Sequence, residues 1–195
     1  TYEAMDLGAL PDLPVWARPQ AAGAGYRAVG FAAPDEVPPF APLTGPLKVT
    51  LTGSAHNKDG WLRKNDRETL EVLHHLEAKV AARAGEMAMV TEDLDEDADT
   101  VVVSYGITAR AAREAVRAAR AARRRVSVLG RLPQFPLPAG AVRAAVGDAR
   151  RVVVAEENLG GLYRRVLAGV LPAVELRGVN RLGGMIRPAE ILEAL

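Results

Sequence analysis

Three short stretches of the 195-residue chain gather side chains able to hold an anion or move a proton. Residues 53–60 read Gly-Ser-Ala-His-Asn-Lys-Asp-Gly, so that Ser54, His56, Asn57, Lys58 and Asp59 bring a hydroxyl, an imidazole, an amide, an amine and a carboxylate into one turn. The same groups between glycines are also ordinary solvated-loop chemistry. In Ser104-Tyr105-Gly106 with Thr108, a strand signal runs into a helix signal, where free backbone N–H groups and a hydroxyl can face an anion. A single glycine, with no Gly-Lys-Ser/Thr behind it, is no phosphate fingerprint, and a turn glycine plus a helix cap is the favoured reading. Glu156-Glu157-Asn158, ahead of Gly160-Gly161, offers adjacent acids for proton transfer or magnesium. Consecutive strand residues point apart, which favours one buried and one solvated acid in a capping or interface role. Substrate or interface candidates are therefore Ser54, His56, Asn57, Lys58, Asp59, Tyr105, Thr108, Glu156 and Asn158. None is assigned a catalytic or metal-ligating role.

Two other clusters weigh less. Arg110, Arg113, Arg117, Arg120 and Arg124 step by three and four, and with Arg123 and Arg125 against Glu114 the segment carries +6. Without interleaved aromatics, long Arg stems shielding an Ala-rich helix are favoured over a phosphate-binding face. Adjacent His74 and His75 stand about a hundred degrees apart on a helix and cannot share one ion from it. Composition narrows the classes further. With 25 Lys+Arg against 24 Asp+Glu the formal charge is +1, so no global field draws nucleic acid or an anionic membrane. Zero cysteines exclude disulfides, thiol nucleophiles and an iron-sulfur cluster held by this chain. No apolar run reaches the ~18 residues of a spanning helix, and the N-terminus lacks a signal pattern, so a cytoplasmic setting without membrane contact is expected.

The elements that must position these groups follow from periodicity. Residues 1–46 hold eight of the 13 prolines and read as an extended lead or linker. Leu10, Leu13, Trp16, Tyr26, Phe31 and Phe40 give it enough apolar bulk to lie across a surface. Opening at Thr1 and running straight into Pro-rich sequence, the chain looks like a piece of a longer polypeptide. From 47 onward, strand signals at 47–52, 86–90, 100–104, 126–129, 152–155 and 174–176 alternate with helix signals at 65–83, 108–124, 139–146, 161–171 and 188–195. This predicts one α/β domain over 47–195: a three-layer αβα sandwich with a mostly parallel sheet, its partner surface at the strands' carboxyl ends.

Several segments in order resemble the C-terminal part of the alpha subunit of 2-oxoacid:ferredoxin oxidoreductases, the thiamine-diphosphate enzymes of the 2-oxoglutarate and pyruvate synthase type. They are residues 99–113 (Asp-Thr-Val-Val-Val-Ser-Tyr-Gly-Ile-Thr-Ala-Arg-Ala-Ala-Arg), Glu156-Glu157-Asn158-Leu159-Gly160, and Asn180-Arg181-Leu182-Gly183-Gly184 leading to Pro188-Ala189-Glu190-Ile191. The resemblance implies a transketolase C-terminal-like domain. It also implies a heteromeric holoenzyme that cleaves a 2-oxoacid, reduces ferredoxin and makes acyl-CoA. Thiamine diphosphate, Mg2+ and the iron-sulfur cluster would then be held by the missing N-terminal alpha-subunit domain, the beta subunit and other regions, with coenzyme A as acyl acceptor. The chain departs from the family where an acidic turn is usual, with Ala55, Asn57 and Lys58 standing between Gly53, His56 and Gly60. Gly130 and Pro133 replace an Arg and a Thr ahead of Phe135-Pro136, and Gly161 stands where a Gln is common. The leading expectation is a non-catalytic assembly domain that leaves the isolated chain inactive and can supply the 53–60 loop to the site. The competitor is a stand-alone module taking a small anion at Tyr105-Gly106.

Overall fold

The computed structural model describes residues 8, 12, 19–34, 36–130 and 132–195. Leu10, Leu13 and Trp16 of the expected apolar lead lie outside the described residues. The chain divides into two compact units, one within 3–83 and one spanning 84–195. Residues 47–83 thus group with the segment before them, and the α/β sheet lies wholly in 84–195.

The first unit contains helix α1 (Arg67–Ala82), N-capped by Asp66, whose carboxylate accepts from the Thr69 N–H at 2.8 Å. Phe31 stacks on the buried His75 ring at 3.7 Å between centroids, so this part of the lead packs on α1. The strand expected at 47–52 does not form: among the described residues this unit has only the isolated bridges Gln20↔Phe40 and His56↔Leu62. An extended run becomes a strand only where another strand takes up its N–H and C=O groups, and 47–52 has no such neighbour.

In the second unit β1 (Thr91–Asp93) precedes β2 (Thr100–Ser104), α2 (Thr108–Ala121), β3 (Val126–Gly130), α3 (Ala139–Val146), β4 (Arg151–Glu156), α4 (Leu162–Ala168), β5 (Glu175–Asn180) and α5 (Pro188–Ala194). The strands lie in the order β1-β3-β2-β4-β5, parallel except for β1, which runs antiparallel to β3. The edge strand expected at 86–90 falls instead at 91–93, because its register is set by Thr91 opposite Gly130 rather than by its own sequence.

Val101 to Val103, Val128, Leu129 and Val152 to Ala155 are buried on both faces of the sheet, the pattern of central parallel strands. On one face, α2 and α5 cover Val102, Val128 and Val153 with Ala112, Ala115, Val116, Ala119 and Ile191. Small alanines let α2 sit close to the sheet. On the other, α3 and α4 cover Val101, Val103, Leu129 and Val154 with Val142, Val146, Tyr163 and Leu167. This is the expected three-layer αβα sandwich. The chain steps from β2 outward to β3, then returns across β2 to β4 and on to β5. Right-handed crossovers taken in opposite directions must put α2 and α3 on opposite faces. Where the direction reverses, between β2 and β4, a crevice opens at the strands' carboxyl ends.

Candidate functional site at the carboxyl edge of the sheet

The β2 and β4 ends are locked side by side by the buried Ser104 hydroxyl, which donates to the Ala155 carbonyl at 2.9 Å. β4 then delivers Glu156 and Glu157 to opposite faces. Glu156, at 1% exposure, turns its carboxylate onto the start of α4 and accepts from the Tyr163 N–H at 2.9 Å and the Arg164 N–H at 3.1 Å. The Asn158 amide donates to Glu156 Oε2, and the Tyr105 hydroxyl donates to the same oxygen at 3.3 Å. Asn158 Oδ1 accepts from the Gly161 N–H at 2.8 Å. Gly161 itself has φ 65°, a conformation that glycine adopts without strain and that admits the chain into α4.

Glu156 and Asn158 together satisfy the donors that the helix start leaves unpaired, and the negative charge sits at the favourable end of the helix dipole. With both its oxygens engaged, Glu156 is a positioning group. Tyr105 lies edge-on to Tyr163, with ring centroids 5.4 Å apart. Burial first, then the neighbouring Glu156 charge, holds the Tyr105 phenol above its ordinary value of 10.0. Burial first, then Tyr105, pushes Tyr163 up to about 12. Both phenols therefore stay protonated at neutral pH, and Tyr105 acts as a hydrogen-bond donor, not as a base.

Glu157 is exposed and takes the other face, where its Oε1 accepts from the Thr108 hydroxyl at 3.0 Å and from the Ile186 N–H at 3.1 Å. It ties the start of α2 to the segment entering α5. Beside it opens a largely apolar cleft of about 280 Å³, lined by Ile107, Thr108, Ala111, Met185, Ile186 and Pro188 among others. The structure thus brings together Tyr105, Glu156 and Asn158, and places Thr108 with Glu157. Tyr163 was not singled out from sequence, although the Asn-Leu-Gly-Gly turn before it signals a helix start that needs a cap.

Ser54, His56, Asn57, Lys58 and Asp59 belong to the other unit. His56 Nδ1 lies 2.8 Å from the Ser54 carbonyl oxygen. The Asn57 N–H donates to the Trp61 carbonyl at 3.0 Å and its side-chain oxygen accepts from the Trp61 N–H at 3.0 Å. Asp59 pairs with Arg27 at 2.7 Å, which holds its carboxyl below the usual range, and Arg27 also reaches Glu68 at 2.7 Å. Lys58 lies 4.3 Å from the centre of the Phe31 ring and 3.6 Å from Glu71. Gly60 closes the turn at φ 82°, where an added Cβ would fall 2.2 Å from the Thr50 carbonyl oxygen. Only glycine fits there.

Among the described residues no group of three or more His, Cys, Asp or Glu is placed to hold a metal ion, and no helix is long and apolar enough to cross a membrane. The chain has no thiolate for an iron-sulfur cluster. These residues do not fit the metal or the cluster that the family resemblance implies.

A parallel sheet with its switch point capped in this way defines an α/β domain whose carboxyl edge is built to position loops. Residues 98–191 match the family model described as pyruvate:ferredoxin oxidoreductase core domain II. The chain is 32% identical over 171 residues to the 2-oxoglutarate synthase subunit KorA of Methanothermobacter thermautotrophicus, covering 85% of this chain and 45% of that protein. It is 30% identical over 171 residues to the ketoisovalerate oxidoreductase subunit VorB of the same organism, covering 78% of this chain and 48% of that protein. A solved 2-oxoglutarate:ferredoxin oxidoreductase from Magnetococcus marinus superposes with a TM-score of 0.71 at 20% identity, over 94% of this chain and 32% of that one. Over residues 98–191 the chain is thus similar to a core domain of the 2-oxoacid:ferredoxin oxidoreductase type. The chain spans less than half the length of either curated relative.

Proposed function

We propose that this chain is the C-terminal assembly domain of the alpha subunit of a thiamine-diphosphate-dependent 2-oxoacid:ferredoxin oxidoreductase. It performs no bond chemistry of its own and presents its carboxyl edge to the rest of the enzyme. The observation that carries this reading is the row of exposed apolar side chains on the loops leaving the parallel strands. Ile107 follows β2, Phe135 follows β3, Leu159 and Leu162 follow β4, and Leu182 and Met185 follow β5. Phe135 at 82% and Leu159 at 81% exposure are poor choices for a surface that meets only water. A saturated Glu156 network beneath them supports the same view, since it fixes the loops without leaving a free acid or base.

In the complete enzyme, thiamine diphosphate would supply the carbanion chemistry, and Mg2+ and the cluster would be held by other regions. The beta subunit and the remaining alpha-subunit domains are the partners of the carboxyl edge, and ferredoxin is the electron acceptor of the complex. A cytoplasmic setting goes with that chemistry. The test is co-expression of the tagged protein with its beta subunit. Phe135→Asp combined with Leu159→Asp should cut the beta subunit recovered at least about tenfold, equivalent to ~1.4 kcal/mol, with the far-UV spectrum and melting temperature unchanged. Undiminished recovery would remove the carboxyl edge from the interface. The stand-alone module reading predicts no beta-subunit capture by the unaltered protein either.

A further inference from the structure

We propose that the opposite, amino edge of the sheet carries a binding site for a ligand bearing two or more linked phosphate groups, gripped by Arg123, Arg124, Arg125, Arg150 and Arg151. These side chains line a cleft of about 430 Å³ whose other lining includes Asp99, all within residues 84–195. That volume is in the range of small-ligand sites, roughly 300–1,000 Å³.

The cleft floor is rigid. The Asp99 carbonyl accepts from the Arg150 N–H at 3.0 Å and the Arg151 N–H at 3.2 Å, while the Asp99 N–H donates to the Arg125 carbonyl at 3.3 Å. Three chain segments are thereby stitched together and these backbone groups are used up, so recognition falls to the side chains. The charge is lopsided. Five guanidinium groups line the cleft with a single acidic side chain, that of Asp99, and Arg151 also donates to the Leu195 carbonyl oxygen at 2.9 Å. Asp99 is only loosely paired, 3.9 Å from Arg125, and Arg151 is engaged with Glu175 at 3.0 Å. Among the described residues, the side chains of Arg123, Arg124 and Arg150 have no hydrogen-bond or ion-pair partner.

The backbone points the same way. Arg123, at φ 60°, is the non-glycine residue with positive φ among the described residues, and it sits where α2 ends and the chain turns across the cleft mouth. This helix-ending turn, in which the Arg123 N–H donates to the Arg120 carbonyl at 2.8 Å and the Arg124 N–H to the Ala119 carbonyl at 3.0 Å, crowds like charges together, and a multivalent anion would offset their repulsion. The lining cations are all Arg, with no Lys among them. The planar fork of Arg matches phosphate oxygens two at a time, and a chain of phosphates meets several forks at once. This inference does not rest on the enzyme reading, because the cleft lies at the other end of the strands from the apolar loops.

The test is calorimetric titration of the purified protein with inorganic triphosphate at ~0.15 M salt, with ATP and citrate as parallel titrants. Triphosphate should bind at one site in the micromolar range, and Arg124→Gln with Arg150→Gln should weaken it at least tenfold while leaving the melting temperature and beta-subunit capture unchanged. Should the double variant unfold, Arg150→Gln alone should weaken binding at least threefold. ATP binding tighter than triphosphate would mark a nucleotide as the source, and equal binding the phosphate chain itself; either supports the site. No saturation by ~1 mM triphosphate, citrate binding as tightly, or affinity unmoved by the variants would overturn it.

Discussion

At Glu156 a single carboxylate oxygen, Oε2, accepts from Tyr105, Asn158 and the Tyr163 N–H, while Oε1 accepts from the Arg164 N–H. Replacing it with Gln conserves volume but removes the charge and turns one acceptor into a donor facing a donor. Because the site is buried, an unpaired N–H there finds no water in compensation. Glu156→Gln should therefore lower stability by about 2 kcal/mol in urea unfolding, against about 0.5 kcal/mol for Glu157→Gln, whose site is exposed. Equal losses would mean that the α4 cap contributes little. The sequence shows that two adjacent acids on a strand must part company, but not which one is buried. That depends on α4 folding back over one face, and nothing in the local pattern states it.

Segments that resemble the family at separate places in the chain turn out to be halves of single elements. Arg181, from the Asn-Arg-Leu-Gly-Gly segment, donates to Glu190 of the Pro-Ala-Glu-Ile segment at 2.8 and 2.9 Å, and Glu190 also accepts from the Arg187 N–H at 2.9 Å. Together they cap α5. The Arg187 N–H contributes most to holding the Glu190 carboxyl below its ordinary 4.5, aided by the Arg187 and Arg181 side chains. A carboxyl lowered on folding stabilises the native state above its unfolded value and ceases to do so as pH falls through the lowered one. The unaltered protein should therefore melt above Glu190→Gln at pH 7, with the gap closing as pH drops below 4.5. A gap constant down to pH ~2.5 would show that the charge plays no part.

Strands β2, β3 and β4 were legible because burial on both faces leaves continuous apolar runs. β5 reaches Asn180, beyond the expected 176, because at the sheet edge Arg177 and Gly178 stand exposed and interrupt the pattern without interrupting the pairing to β4. Likewise α2 stops at Ala121, so Arg124 leaves the expected helix face and forms, with Arg123 and Arg125, the turn at the amino edge. Basic composition was visible there. The concavity was not, since it arises from the register of 99, 125 and 150.

For the whole molecule, the candidate residues fall into two units, with the 53–60 turn in one and the capped switch point in the other. Within that turn, Asp59 and Lys58 are committed to Arg27, Glu71 and Phe31, and Asn57 closes the backbone on Trp61. His56 is different: the residue is half-buried, with Nδ1 at the Ser54 carbonyl, and among the described residues no side chain hydrogen-bonds Nε2. An imidazole fixed through one nitrogen and open at the other is the residue of this loop best prepared to meet a substrate carboxylate or pass a proton. The proposal that the loop reaches the active site of the complete enzyme therefore rests on His56. In holoenzyme reconstituted from alpha and beta subunits, His56→Ala should lower 2-oxoacid turnover at least about tenfold, ~1.4 kcal/mol of transition-state stabilisation, while subunit stoichiometry stays unchanged. His56→Gln, which keeps a polar group but cannot titrate, separates the two roles. Rescue of KM without kcat assigns proton transfer, rescue of both assigns binding, and undiminished turnover in His56→Ala returns the loop to a structural turn held by its ion pairs.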